Sequence, residues 1–325
     1  MLKRGGAAMG GGSGDSNAAY QEIASSLPNS RVLFSEPMSN HTSFRIGGPC
    51  DLLVIPGTRD DAIRAWLMCR ELRVPCHIIG NGTNLLVRDG GVRGCIVKLA
   101  SGFTGVERNG SKSLMISSGT LLPKLVEAAV SFELSGLEFA VGIPGSMGGA
   151  VTMNAGAYGG DMGSLVNRVE VATPDGRIQW LSQDELEFSY RHSLFLSRDD
   201  LLILTVEMLL EPGDGNQIHQ VMMAHLSQRQ EKQPLDLPSA GSAFRRPRGK
   251  FVGPMIESLG LKGFSYGGAM VSPKHAGFIV NSGGATAKDV LTLMEIVQKK
   301  VYAAFEVSLQ PEIIVIGDDL EPHPE

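Results

Sequence analysis

Cysteine is scarce in this 325-residue sequence: Cys50, Cys69, Cys76 and Cys95 all fall in the first third, and none forms a CxxC pair. That spacing excludes the common zinc motifs and argues against a disulfide framework, so buried free thiols are expected. The seven histidines contain no HExxH pattern, and no metal is expected. Long hydrophobic runs are missing too, which excludes a membrane-spanning helix. Lys3 and Arg4 precede no apolar stretch of the kind that drives secretion, so the expected compartment is the cytoplasm. The formal charge is −5 and no dense Lys/Arg run occurs, which excludes a nucleic-acid partner. A small anionic ligand needs only a few local cations and remains open.

What is present is a 42% hydrophobic chain long enough for two or three domains. The glycine- and serine-rich residues 1–30 read as a flexible tail. Residues 31–99 form a small α/β unit. Its helix starts at Thr58 with Asp61 three positions on, and "CHIIG" and "GCIVKL" are β-branched, glycine-bounded strands. A second unit, 100–212, holds the strand "SLMISSG", a helix from Thr120 to Leu134 capped by Gly136, and the strands "RVEVAT", "IQWLS" and "LLILTVEMLL". "EPGDGN" reads as a linker to a third unit, 213–317. That unit opens with a helix whose stripe is Ile218, Val221, Met222, His225 and Leu226, and it carries a capping box at Thr286 and Asp289. An acidic tail, 318–325, ends the chain.

Two stretches spend glycine heavily. "GIPGSMGGAVTMNAGAYGGD", 142–161, has seven glycines in twenty positions, and "GNGTNLLV" covers 80–87. Glycine is costly in regular elements, so such runs mark positive-φ turns or backbone that closes on a ligand. Loops that gather N–H groups are anion sites, with phosphate the usual guest. Neither stretch fits the GxGxxG fingerprint or the P-loop. Tight turns and relief of crowding are the plain alternative, but two such loops rich in amides and hydroxyls favour a nucleotide cofactor.

The wording of the segments is more specific. "NHTSFRIGGP" (40–49), "GNGTNLLVRDGG" (80–91), "GLEFAVGIPGSMGGAVTMNAGAYGGD" (136–161), "SYRHSLF" (189–195), "KQPLDLPSAGSAFRRP" (232–247), "GLKGFSYGGAMVSPKHAGFIVN" (260–281) and "LQPEIIVIG" (309–317) occur in this order. Together they resemble the UDP-N-acetylenolpyruvoylglucosamine reductase (MurB) family, flavoenzymes of bacterial peptidoglycan synthesis. The short distance from "SYR" to "KQP" points to its shorter, loop-lacking subgroup. The resemblance implies an α+β fold, with a two-subdomain FAD-binding module of the vanillyl-alcohol-oxidase type and a C-terminal substrate domain whose last strand packs back on the first subdomain.

It also implies FAD as cofactor, held by Asn81, Gly82, Thr83, Asn84, Gly145, Ser146, Gly148, Gly149, Asn154, Ala155 and Gly156. Relatives with covalent flavin carry RSGGH where "RIGGP" stands here, so non-covalent FAD is implied. NADPH is the implied hydride donor, and the substrate a UDP-sugar enolpyruvyl ether reduced to a lactyl ether. Ser242 matches the proton donor, Arg191 the residue holding the substrate carboxylate, and Glu312 the opposing acid/base. A serine in a glycine-containing loop is otherwise a turn residue, and an isolated arginine a structural ion pair. Tyr190, Arg229, Lys232 and Arg246 match substrate positions.

Two departures stand out: Arg245-Arg246-Pro247 where Lys-Asn-Pro is common, and Met270 where glutamine is frequent. Both bear on substrate contacts more than on the chemistry. The competing readings are another non-covalent flavoprotein oxidoreductase of this fold and a non-catalytic nucleotide-sugar binding protein. The first gives no reason for the Ser242 loop together with "PEIIVIG". The second predicts damage at Arg191, Ser242 or Glu312, and all three are intact. The chain is expected to work as a monomer.

Overall fold

A computed structural model describes residues 13–100 and 102–320. Three sheets of four or five strands, with three two-stranded pairings beside them, build the described residues. The first orders its strands Ser30–Pro37, Pro49–Pro56, Val92–Lys98 and Cys76–Ile79; its first pair is antiparallel and the other two are parallel. Helix α1 (Ser13–Ser25) and helix α2 (Arg59–Glu71) accompany this sheet. Thr58 caps α2 by accepting the Asp61 N–H, and Ala62, Ala65, Trp66 and Cys69 face inward. The four thiols are free, and three of them are buried.

Part of the expected tail is therefore ordered. Ile23 and Leu27 are buried in the core that Trp66 and Cys95 share, and the Tyr20 hydroxyl donates to Asp51 at 3.0 Å. Burial beside that carboxylate pushes the phenol up to about 12. Two buried aliphatic side chains, worth about 1.5–3 kcal/mol each, outweigh the glycine-rich composition before them. Residues 1–12 of the expected tail and 321–325 of the acidic tail lie outside the described residues.

The second sheet is antiparallel, in the order Ile178–Ser182, Val166–Ala172, Leu202–Leu209, Ser113–Ser117 and Val106–Asn109. Helix α3 (Leu122–Ser131) and the short helix α4 (Met147–Thr152) pack on it through Leu122, Leu125, Met147 and Val151. Helix α3 ends earlier than expected. Glu133, not Gly136, takes the left-handed turn at φ 56, because Leu134–Ser135 leave the helix to pair with Glu211–Pro212. That pairing also turns part of the expected linker into a strand.

Helix α5 (Gly215–Lys232) lies against the second unit through Ile218, Met222 and His225, whereas Val221 is exposed. The core of the third unit begins only near Ser239. Its strands run Ser239–Ser242, Phe278–Asn281, Ala269–Val271 and Ser265–Tyr266, backed by helix α6 (Val252–Ser258) and helix α7 (Ala287–Phe305). The Thr286–Asp289 capping box starts α7 as expected. The strand Ile314–Ile316 returns and pairs in parallel with Leu85–Val87, so the end of the chain closes on the first unit. No described helix is long and apolar enough to cross a membrane.

Candidate active site

A cleft of about 870 Å³ runs between the three units. That is the size of a small-molecule or cofactor site. It collects both glycine-rich stretches: Asn81, Gly82, Thr83 and Asn84 on one wall, Gly145, Ser146, Gly148, Gly149, Ala155 and Gly156 on the other.

The first wall is a bend between the strands Cys76–Ile79 and Leu85–Val87. Gly82 sits at φ 65, and a Cβ on it would collide with the His41 carbonyl; Ser43 N–H donates to the Gly82 carbonyl at 3.1 Å. The bend is thus held from outside by its carbonyls. Its amides, the N–H groups of 81–84, find no acceptor among the described residues. Asn81 Nδ2 spans to the Pro144 carbonyl at 2.7 Å and joins the two walls.

On the second wall Leu122 N–H bonds the Gly145 carbonyl, and Met147 and Gly148 N–H bond the Thr120 and Ser118 carbonyls at 2.8 Å each. The Gly148 amide is therefore spent inside the fold. A Cβ at Gly148 would press on the Ser118 Cβ at 3.1 Å, a contact that Ser118 would have to yield to. Ser146 and Ser118 supply what Gly148 does not: both line the cleft, and their buried hydroxyls have no partner among the described residues. Buried donors without acceptors are rare, and a set of them facing one cleft fits an oxygen-rich anion. The residues present fit the pyrophosphate of a dinucleotide.

One expected contact is corrected. Asn154 is buried, donates from Nδ2 to the Ser189 carbonyl at 2.9 Å and accepts Gly163 N–H at Oδ1 at 2.8 Å. Its amide braces the Ser189–His192 turn and does not line the cleft. Ser118, which composition left unmarked, takes a place there, as do Ser43 and Arg45.

That turn presents Arg191. Ser189 and His192 exchange backbone hydrogen bonds, and Arg191 adopts φ 54, a left-handed conformation that costs a side chain about 1 kcal/mol. Its Nε donates to Glu312 Oε1 at 2.8 Å and its Nη2 to the Gly156 carbonyl at 3.1 Å. Glu312 is only 14% exposed at its side chain. Burial raises its pKa, and the Arg191 charge and hydrogen bond oppose that rise. The strand geometry explains how Ser242 joins them. Glu312 N–H bonds the Ala243 carbonyl at 3.0 Å, so the residue after Ser242 lies beside Glu312. Ser242 lines the cleft, and its hydroxyl has no partner among the described residues.

Arg229 also reaches the cleft. Buried under Gly142, it donates to Gln233 Oε1 at 3.2 Å, its Nε has no partner, and burial lowers its pKa. The other substrate positions stand outside the lining. Helical spacing gives the inner face to 229 and 233, leaving Lys232 exposed. Tyr190 is 56% exposed, carries the Arg191 guanidinium over its ring at 5.4 Å, and its hydroxyl accepts Arg246 N–H at 3.4 Å. The Arg246 guanidinium lies over Phe251, 3.7 Å from the ring centroid.

A cradle of free amides and hydroxyls facing a serine, an arginine and a carboxylate defines a dinucleotide-cofactor enzyme on an α+β frame. The comparisons narrow the class. Residues 50–182 match the FAD binding domain family, and residues 233–316 match the C-terminal domain of UDP-N-acetylenolpyruvoylglucosamine reductase. The chain is 45% identical over 300 residues to the UDP-N-acetylenolpyruvoylglucosamine reductase of Syntrophomonas wolfei, covering 92% of this chain and 100% of that one. With its counterpart from Caldanaerobacter subterraneus subsp. tengcongensis it shares 47% over 292 residues, 90% of this chain and 96% of the other. The crystal structure of MurB from Thermus caldophilus superposes with a TM-score of 0.74 at 35% identity, over 88% of this chain and 98% of that one. The chain belongs to the UDP-N-acetylenolpyruvoylglucosamine reductase family.

Proposed function

We propose that this chain reduces UDP-N-acetylglucosamine enolpyruvate to UDP-N-acetylmuramate, a step of peptidoglycan precursor synthesis, as an FAD-dependent and NADPH-consuming oxidoreductase. The observation that carries the reading is the meeting of Arg191, Glu312 and an uncommitted Ser242 hydroxyl at the cleft that also holds the free amides of 81–84. Bound FAD supplies the hydride relay from NADPH to the methylene carbon of the enolpyruvyl double bond. The clasp of Asn81, Gly82, Thr83, Asn84, Ser146 and Ser118 holds its phosphates. With Pro49 ending "RIGGP", the attachment is non-covalent.

The protein's share of the chemistry is charge and proton placement. Hydride arriving at the methylene carbon leaves negative charge delocalised into the adjacent carboxylate. Arg191, with its planar fork, binds that carboxylate and neutralises the charge as it grows. Ser242 delivers the proton to the neighbouring carbon. A hydroxyl is a weak acid, but transfer to a carbanion-like centre is strongly downhill. Glu312 orients the guanidinium and faces the transferred proton. Arg229, buried with no ion-pair partner among the described residues, suits a substrate phosphate, and Tyr190, Lys232 and Arg246 form the outer rim of the same site. Between Arg191 and Lys232 the chain is taken up by the strand Leu202–Leu209 and helix α5, which supports the loop-lacking subgroup. A monomer in the cytoplasm is the working assembly consistent with this reading.

The test is anaerobic. NADPH bleaches the bound flavin, and addition of the enolpyruvyl sugar nucleotide restores its absorbance. Ser242→Ala is expected to be reduced by NADPH at the normal rate but to be reoxidised about 10²–10⁴-fold more slowly. Equal damage to both half-reactions contradicts the assigned proton donor. A folded protein that takes up no FAD contradicts the whole reading.

A further inference from the structure

Arg245 is a half-buried cation that this chemistry leaves unused. Its Nε is shut away from water without a hydrogen-bond partner, and its guanidinium forms no ion pair within 4 Å among the described residues. A guanidinium Nε closed off from water without an acceptor is costly, so its position needs a reason. The backbone supplies one. Residues 243–245 run antiparallel to 310–312: Phe244 bridges Pro311, Arg245 N–H bonds the Gln310 carbonyl at 2.8 Å, and Glu312 N–H bonds the Ala243 carbonyl at 3.0 Å. Side chains alternate across a strand, so Ala243, Arg245, Gln310 and Glu312 share one face. Arg245 is then the diagonal neighbour of Glu312, a separation that a long side chain bridges.

Two cations therefore face one carboxylate: Arg191 from the turn at 189–192, bonded to it, and Arg245 from its own strand pair, acting through space. Arg191 cannot serve Glu312 and the substrate carboxylate with the same donors. When its other donors engage substrate, Arg191 shares its charge between two carboxylates, and the counter-charge at the half-buried Glu312 weakens while its desolvation persists. We propose that Arg245 is a positioning residue for Glu312, holding that carboxylate in place and charged while Arg191 engages the substrate. This inference rests on the reading of Arg191 and Glu312 given above. It also gives a role to the first residue of Arg245-Arg246-Pro247: a guanidinium there reaches toward Glu312 across the strand pair.

The test reads the carboxyl directly. FAD-loaded protein labelled with ¹³C at the glutamate carboxyls is titrated by NMR, with Glu312 assigned from the signal lost in Glu312→Gln. Removing a cation disfavours the charged form, so in Arg245→Gln the Glu312 midpoint is expected to rise by about half to one pH unit. In Arg245→Lys, whose shorter stem sets a compact charge farther off, it rises less. The pH profile of flavin reoxidation by the enolpyruvyl substrate moves in the same order: wild type, Lys, Gln. If the Gln variant does not fold, the Lys variant decides alone, since a Glu312 midpoint identical to wild type overturns the inference. A merely structural Arg245 lowers the yield or melting point of both variants and leaves the midpoint where it was. Failure of the underlying reading looks different: wild-type reduced flavin is then not reoxidised by the sugar nucleotide at any pH.

Discussion

The proposed cofactor cradle and the proposed catalytic face share one cleft but are made of different material. The cradle is backbone: N–H groups at 81–84 without acceptors among the described residues, small hydroxyls at Ser118 and Ser146, and glycines at 82 and 156 where a Cβ would strike backbone. The catalytic face is charge: Arg191 and Glu312 come from sites 121 residues apart, with Ser242 delivered by a third segment. One region works by shape and the other by electrostatics, so they should break in different ways. Damage to the cradle removes the flavin. Damage to the face leaves the flavin bound and stops one half-reaction, as expected of Ser242→Ala.

Within the cradle, the largest effect should follow from Gly82→Ala. The residue needs φ 65, and its new methyl would strike the His41 carbonyl, which is backbone and cannot rotate away. Strain of about 3 kcal/mol in the bound conformation corresponds to a roughly 100-fold weaker FAD complex. Flavin fluorescence titration of the apoprotein measures it. Gly110→Ala is the control: φ is 77 there too, but a Cβ meets nothing within 4 Å, and FAD affinity should be unchanged. Equal affinity in both variants would show that the 81–84 amides are not the clasp.

The same contrast explains what was readable in advance. The strands Cys76–Ile79, Val92–Lys98 and Leu202–Leu209 are β-branched and sharply bounded, and the capping signals at Thr58 and Thr286 mark real helix starts. The strands Ser30–Pro37 and Pro49–Pro56 carry prolines and polar residues that hide their alternation. The third sheet is built of strands of two to four residues stabilised by distant partners, a signal no local window contains. Motif wording located the cradle but not the direction of its groups. Gly148 and Asn154 stand in the right segment, yet one amide is consumed by Ser118 and the other by Ser189 and Gly163. Arg191, Ser242 and Glu312 were joined only by resemblance, because their convergence depends on the returning strand 310–316. Arg245 read as a departure in a substrate loop; its relation to Glu312 appears only in the strand register.

A smaller effect tests how the charged face is held against the cradle. Asp89, in the loop after the strand Leu85–Val87, accepts Ala287 N–H at 2.8 Å and Lys288 N–H at 3.0 Å, so a carboxylate of the first unit caps helix α7 of the third. Asp89→Ala should cost about 1–2 kcal/mol in urea unfolding. If the cap also sets how the third unit sits, the KM for the sugar nucleotide rises while FAD affinity stays the same. A parallel loss of FAD affinity would mean that cradle and face do not fail separately.

The smallest effect lies at the same helix end and carries a pH signature. Asp289 accepts Thr286 N–H at 3.1 Å and Gly268 N–H at 3.2 Å, and the Thr286 backbone bond is the main cause that holds its carboxyl below the ordinary value. A lowered folded-state pKa means that the unfolded chain binds the proton more readily. The stabilisation is therefore complete above the unfolded value of about 4 and is lost as pH falls through the folded one. Asp289→Asn should be less stable than wild type by about 0.5–1 kcal/mol at pH 7, and the gap should close as the pH falls through the lowered folded-state value. A gap that stays constant across this range would assign the effect to shape, and helix α7 would then be capped at this end by geometry, like the cradle, instead of by charge.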